Sequence, residues 1–142
     1  MPVIRGTRFG LPQVLAVGMA AAVLGVLLWP HHVDGVIGAL AGSAPFGSAA
    51  PGSPTWWALE DLGNIALFAP LGFALAWWTR RPVVALLAGV MISLLCEFAQ
   101  QWIPTRQPSL LDALLNALGM VVGIALAVAV GRSRASARQV SG

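Results

Sequence analysis

Four apolar runs of membrane-spanning length constrain this chain more than any other feature. They cover residues 11–29, 62–78, 82–103 and 110–130. A helix needs about 20 residues, within a range of roughly 17–25, to cross the hydrocarbon core of a bilayer. Lipid offers no partner for backbone N–H and C=O groups, so each run must be helical. A soluble fold is excluded by arithmetic. The chain is 58% hydrophobic and 9% charged over 142 residues, against about 45–50% and about 25% in soluble domains. A small soluble domain keeps much of its surface in water and cannot hide that excess. The expected fold is all-α: a polytopic membrane protein, a bundle of four transmembrane helices.

The arginines set the expected orientation. There is no lysine, and all eight cations are arginines. Arg5 and Arg8 precede the first run, Arg80 and Arg81 separate the second from the third, and Arg132, Arg134 and Arg138 follow the fourth. Only Arg106 falls in the other two connections. By the positive-inside rule the arginine-rich side is cytoplasmic. That gives a cytoplasmic tail at 1–10, a long extracytoplasmic loop at 30–59 and a basic cytoplasmic tail at 131–142. The acids segregate the other way: Asp34, Glu60, Asp61, Glu97 and Asp112 all belong to the outer side. Tryptophan, which prefers the headgroup level, marks the outer boundary at Trp29, Trp56, Trp57 and Trp102 and the inner one at Trp77 and Trp78. The first run is too long for a signal-peptide core, and small residues near Ala41–Ala44 lie well past its end, so it reads as an uncleaved anchor. The loop is rich in Gly, Ala, Ser and Pro and reads as irregular; Val33–Leu40 could form a short interfacial helix, but its glycines argue against one.

Several function classes drop out. The pI near 11 does not point to nucleic acid, because the arginines cluster at span ends and form no basic stripe. Cys96, the single cysteine, reads as an inert buried thiol. His31 and His32, adjacent in a loop beside Asp34, are a weak metal signal. No cofactor is expected.

Residues three, four and seven apart share a helix face. Asp61, Asn64, Phe68 and Gly72 form one stripe on the second span, and Gly89, Ser93, Glu97 and Gln100 one on the third. Asp112, Asn116, Gly119 and Gly123 form another on the fourth. The first span offers Gly18, Ala22 and Gly25. Gly119 and Gly123 make a small-xxx-small pair that lets a neighbouring helix approach closely. The other three stripes turn polar toward the outer end, and six polar groups converge at one depth. A carboxylate at the depth of Glu97 faces a bundle interior or a wet cavity. Arg106 is its natural partner, or that of Asp112, since a guanidinium holds a carboxylate through two hydrogen bonds. Each residue also has a plainer role: Asp61 and Asp112 as helix N-terminal acids, Asn64 and Asn116 as interhelical glue. Pro70 is expected to bend the second span.

These residues resemble the VanZ-like family of bacterial membrane proteins. The resemblance is carried by "NIALFAPLGF" (Asn64–Phe73), "SLLCEFAQ" (Ser93–Gln100) and "RQPSLLDALLNALGMVVG" (Arg106–Gly123), across about 61–130. It implies a cell-envelope protein, with a founding member associated with resistance to the glycopeptide teicoplanin, and a suggested role in modifying surface polymers or lipids.

Three functions compete. One is a non-catalytic protein whose outward polar pocket binds a lipid-linked cell-wall precursor or glycopeptide headgroup among membrane lipids. Another is an intramembrane enzyme acting on a lipid headgroup or lipid-linked sugar. There Glu97, Arg106 and Asp112 are the candidate catalytic residues, and Asp61, Asn64, Ser93, Gln100 and Asn116 bind substrate. Outer acids outnumber the one arginine and would repel an anionic headgroup; Mg²⁺ or Ca²⁺ held by Asp61, Glu97 and Asp112 would lift that objection. A transporter is disfavoured by four short spans without a repeat, unless the chain forms a homo-oligomer.

Overall fold

A computed structural model describes residues 10–28, 53–102 and 109–140. Arg106, the two histidines with Asp34, Arg5, Arg8, Trp29 and the Val33–Leu40 stretch lie outside the described residues, as does the Arg138 side chain. The described chain is all-helical: α1 (Leu11–Leu27), α2 (Pro54–Thr79), α3 (Pro82–Gln100) and α4 (Leu110–Val140). Three of them, α2, α3 and α4 up to Ala137, are long and apolar enough to cross a membrane; α1, with 17 residues, is shorter.

Helix boundaries follow local chemistry. Ser53 caps α2 by accepting the Trp56 N–H at 3.2 Å, and Pro54 stands in the first turn, where its missing N–H costs nothing. The helix therefore starts well before residue 62 and takes in residues 54–59 of the expected loop. Asp61 is consequently two turns inside α2 and caps nothing, which removes its plainer role. The helix continues through Pro70. It ends at Arg80, left-handed at φ 57°, whose N–H bonds the Ala76 carbonyl at 3.0 Å. That conformation costs a non-glycine residue about 1 kcal/mol, and the tight turn it makes leads directly into Pro82 at the start of α3. At the other end of the chain, α4 runs past the expected boundary at 130 to Val140. Arg, Ala, Gln and Ser dominate that stretch, which contains no proline.

The surface is inverted relative to a soluble protein. Val83, Leu87, Met91, Leu95 and Phe98 of α3 are each more than half exposed, while Ser93, Gln100 and Asn116 are buried. Such an arrangement is stable only in an apolar solvent.

At the centre, α2 and α4 run parallel with their backbones in contact. A Cβ added at Gly119 would stand 2.6 Å from the Ile65 carbonyl oxygen, and one at Gly72 would stand 2.5 Å from that of Met120. At Gly123 it would overlap the Ala69 carbonyl oxygen. The small-xxx-small pair thus works as expected, with Gly72 as its counterpart on α2. The fully buried Met120 side chain lies over Gly89 and locks α3 against the pair. Helix α1 packs differently. Its buried face is Ala16, Val23 and Leu27, not the expected Gly18, Ala22 and Gly25. Those three are exposed, and nothing lies within 4 Å of a Cβ at either glycine. Side chains, not backbones, dock α1, and an apolar groove lined by Leu15, Met19, Pro70 and Phe73 separates it from α2.

Candidate functional site

The polar stripes meet at the end of the bundle where α1 and α3 finish and α4 begins. On α4, Ser109 accepts the Asp112 N–H through its Oγ at 3.3 Å. This is half of a Ser-x-x-acid capping pattern, with the acid three residues inside the helix start. The Ser109 backbone N–H in turn donates to Glu97 Oε2 at 2.9 Å. A carboxylate of α3 therefore sits against the first turn of α4, where free N–H groups and the positive helix end favour an anion. Glu97 and Asp112 are both half-buried.

One turn deeper lies a second polar pair. Asn116 Nδ2 donates to Ser93 Oγ at 3.0 Å, and the two residues are 1% and 2% exposed. Ser93 precedes Glu97 by four residues and Asn116 follows Asp112 by four, so the antiparallel α3 and α4 present matched pairs at two depths. The lower pair is incomplete. Asn116 Oδ1 is buried and accepts no hydrogen bond. Turning the carboxamide over would not cure this, because Ser93 can serve only one of its ends.

The other expected residues divide. Asp61 and Asn64 are half-buried on α2. In the parallel register that sets Gly119 against Ile65, Asn116 stands level with Leu62, the residue after Asp61. Gln100 is brought to the same end but is already engaged: its Nε2 donates to the Leu27 carbonyl at 2.9 Å, and it is 5% exposed. The bond ties α3 to the last turn of α1 and satisfies one of that helix's terminal carbonyls. Arg106, expected beside Glu97, lies outside the described residues. The three acids suggested for a divalent cation do not assemble: among the described residues no group of three His, Cys, Asp or Glu side chains comes together.

One participant, Ser109, stands on none of the stripes. It was legible, because a Ser-x-x-Asp run entering an apolar segment is a helix-start signal with a known mechanism. Cys96 is buried, as its place in an apolar run predicts. The Asn116–Ser93 bond had no sequence signal beyond each residue's place on its stripe.

No curated protein and no solved structure matches this chain. The VanZ/LLP1 family model matches residues 17–131. That match extends beyond the motif-bearing spans to most of α1 and residues 28–53. Together with the helical architecture and the polar stripes on their expected helices, it assigns the chain: it belongs to the VanZ/LLP1 family of membrane proteins.

Proposed function

We propose that this protein binds a donor-rich headgroup, of the lipid-linked cell-wall precursor or glycopeptide type, at the polar cluster, or polar well, of the acid-bearing end, which the ligand enters by parting the first turn of α4 from Glu97. The observation that carries the reading is the unpaired Asn116 oxygen beneath Glu97 and Asp112. A buried polar atom without a partner costs about 1–3 kcal/mol, and a ligand that donates to it recovers that energy. The well offers mostly acceptors: a carboxamide oxygen, a serine hydroxyl and carboxylates. It therefore suits amide N–H groups and sugar hydroxyls, which peptide and glycan headgroups carry in quantity. It does not suit a bare phosphate, which the same carboxylates would repel.

The topology belongs to the proposal. Four spans, both termini in the cytoplasm and the polar cluster facing outward are supported by the sequence, in which seven of the eight arginines precede the first apolar run, separate the second from the third or follow the fourth, and by the positive-inside rule. A reporter fused after Gly142 should be active only if it folds in the cytoplasm; activity of an export-dependent reporter there would reverse the orientation.

The experiment for the site uses protein in nanodiscs, titrated with teicoplanin and with a lipid-linked cell-wall precursor. Wild type should bind at least one of them. Asn116→Leu, which keeps volume and removes the acceptor, should weaken binding about tenfold or more at an unchanged melting temperature. Failure of wild type to bind either ligand, or unimpaired binding by Asn116→Leu, refutes the reading. Expression in a sensitive cell should raise the teicoplanin concentration needed to stop growth, and Asn116→Leu should not.

One observation favours a second reading. Glu97 is held by a backbone donor one turn above a hydrogen-bonding amide, the placement a general acid or base needs. If the protein is an intramembrane enzyme acting on a lipid headgroup or lipid-linked sugar, Glu97→Gln abolishes turnover and leaves binding intact. Equal turnover by Glu97→Gln would eliminate that role.

A further inference from the structure

The opposite end of the bundle carries a second, unrelated arrangement. Trp77 of α2 is half-buried and stacks on Phe73, with ring centres 5.7 Å apart and planes at 8°. Two guanidinium groups come to its indole. The Arg80 group lies 5.2 Å from the ring centre, and the Arg134 group, from α4, lies 5.0 Å from it. Each distance is within cation–π range. Two like charges sharing one ring repel each other, and nothing of opposite sign is at hand: the described acids, Glu60, Asp61, Glu97 and Asp112, all belong to the other end of the helices. The indole is the shared aromatic partner of both guanidinium groups, and a guanidinium stacked on a ring still has N–H groups with which to donate.

A cleft opens at the same point. It lies between α2 and α4, closed below by Pro82 and bordered by Trp77, Arg80, Val128 and Gly131. A Cβ at Gly131 would meet nothing within 4 Å, so the mouth of the cleft is open. Ala76, Ala127 and Val128 give the cleft an apolar wall, Trp77 and Arg80 border it, and the Arg134 guanidinium reaches the same indole from α4.

We propose that this cleft binds the phosphate of an anionic phospholipid, with an acyl chain against the Val128 wall. A basic pocket between transmembrane helices is the arrangement that recognises anionic headgroups, and guanidinium donates two parallel hydrogen bonds to phosphate oxygens. A zwitterionic lipid brings its own cation and gains far less. The site is independent of the polar well, so either can fail without the other.

The test compares melting temperatures in nanodiscs of phosphatidylcholine alone, phosphatidylcholine with phosphatidylglycerol, and phosphatidylcholine with added inorganic phosphate. Wild type should be stabilised by phosphatidylglycerol only, and native mass spectrometry should find it retained over phosphatidylcholine. Arg80→Gln with Arg134→Gln should lower that retention roughly 25-fold, at about fivefold for each arginine. Gly131→Leu fills the mouth, keeps every charge and has room for its Cβ, so it should lower retention while folding normally. Arg132→Gln, on the same basic end but away from Trp77, should change retention less than twofold. Equal stabilisation by inorganic phosphate would make the site one for a free anion and overturn the lipid assignment. An Arg132→Gln effect matching the double variant would reduce it to diffuse charge, and retention untouched by Gly131→Leu would remove the cleft. If the arginine double variant does not fold, Gly131→Leu and Arg132→Gln still decide.

Discussion

Helix α2 has two neighbours that it meets in opposite ways. Against α4 it lays backbone on backbone, with Gly72, Gly119 and Gly123 at the contact. Against α1, whose buried face is Ala16, Val23 and Leu27, it leaves an apolar groove at Pro70 and Phe73. In lipid no hydrophobic effect separates these cases, because acyl chains are as apolar as leucine; packing and interhelical hydrogen bonds must carry association. The difference therefore marks which part of the fold is rigid. The candidate well, built on α3 and α4, belongs to the rigid part, and α1 is attached to it at its last turn through Gln100.

The same minimal substitution breaks that contrast most directly. Gly123→Ala adds one methyl where the Ala69 carbonyl already stands, so two backbones must part. Overpacking of this kind costs about 1–3 kcal/mol, and here the upper end is expected because the obstacle is backbone, not a flexible side chain. The shift should be readable as a lower unfolding temperature, with the single buried thiol of Cys96 as the reporter when a thiol-reactive dye is present. A Gly123→Ala protein that melts like wild type would mean that α2 and α4 are not in backbone contact. Because Asn116 sits two turns along the same face, ligand binding at the well should fall with it.

Gln100→Leu addresses the looser side. It keeps the volume, deletes the bond to the Leu27 carbonyl and leaves that carbonyl exposed to an apolar surrounding. Interhelical hydrogen bonds in membranes average about 0.6 kcal/mol and reach about 1.7, so the loss in overall stability should be about 1 kcal/mol. The sharper signature is local: protease sensitivity or hydrogen exchange should rise in α1 and stay unchanged in α2 and α4. A global loss as large as that of Gly123→Ala would show α1 to be as tightly integrated as the other three.

What the sequence made legible follows the same division. The glycine stripe of α4 and the polar stripes of α3 and α4 could be placed because a helix has one period and a small residue has one use at a close contact. Asn116 and Ser93 were each put on an inward face, yet their bond was not foreseeable, since a stripe fixes the direction of a side chain and not its partner. The start of α2 was missed because Ser53 and Pro54 lie inside a Gly/Ser/Pro-rich stretch, where a capping serine looks like any other loop residue. The face of α1 was misassigned for a related reason. Small residues mark an interface where backbones touch, but on α1 Val23 and Leu27 do most of the packing, with Ala16 beside them. Nothing in the order of residues announced that Trp77 would receive Arg80 from the turn after α2 and Arg134 from α4.

The smallest predicted effect is the most informative about α1. Gly18→Ala and Gly25→Ala place a methyl where nothing lies within 4 Å, on a face that is already exposed. No contact is lost and none is crowded. Alanine restricts the unfolded chain and suits a helix better than glycine, a gain of up to about 1 kcal/mol in water and smaller in lipid, where the separated helices also stay helical. Each variant should therefore melt at or slightly above the wild-type temperature, in the opposite direction to Gly123→Ala, although the chemical change is identical. If Gly18→Ala destabilises instead, that face is covered by something in the membrane, and a second copy of the chain would be the first occupant to look for, by cross-linking from position 18.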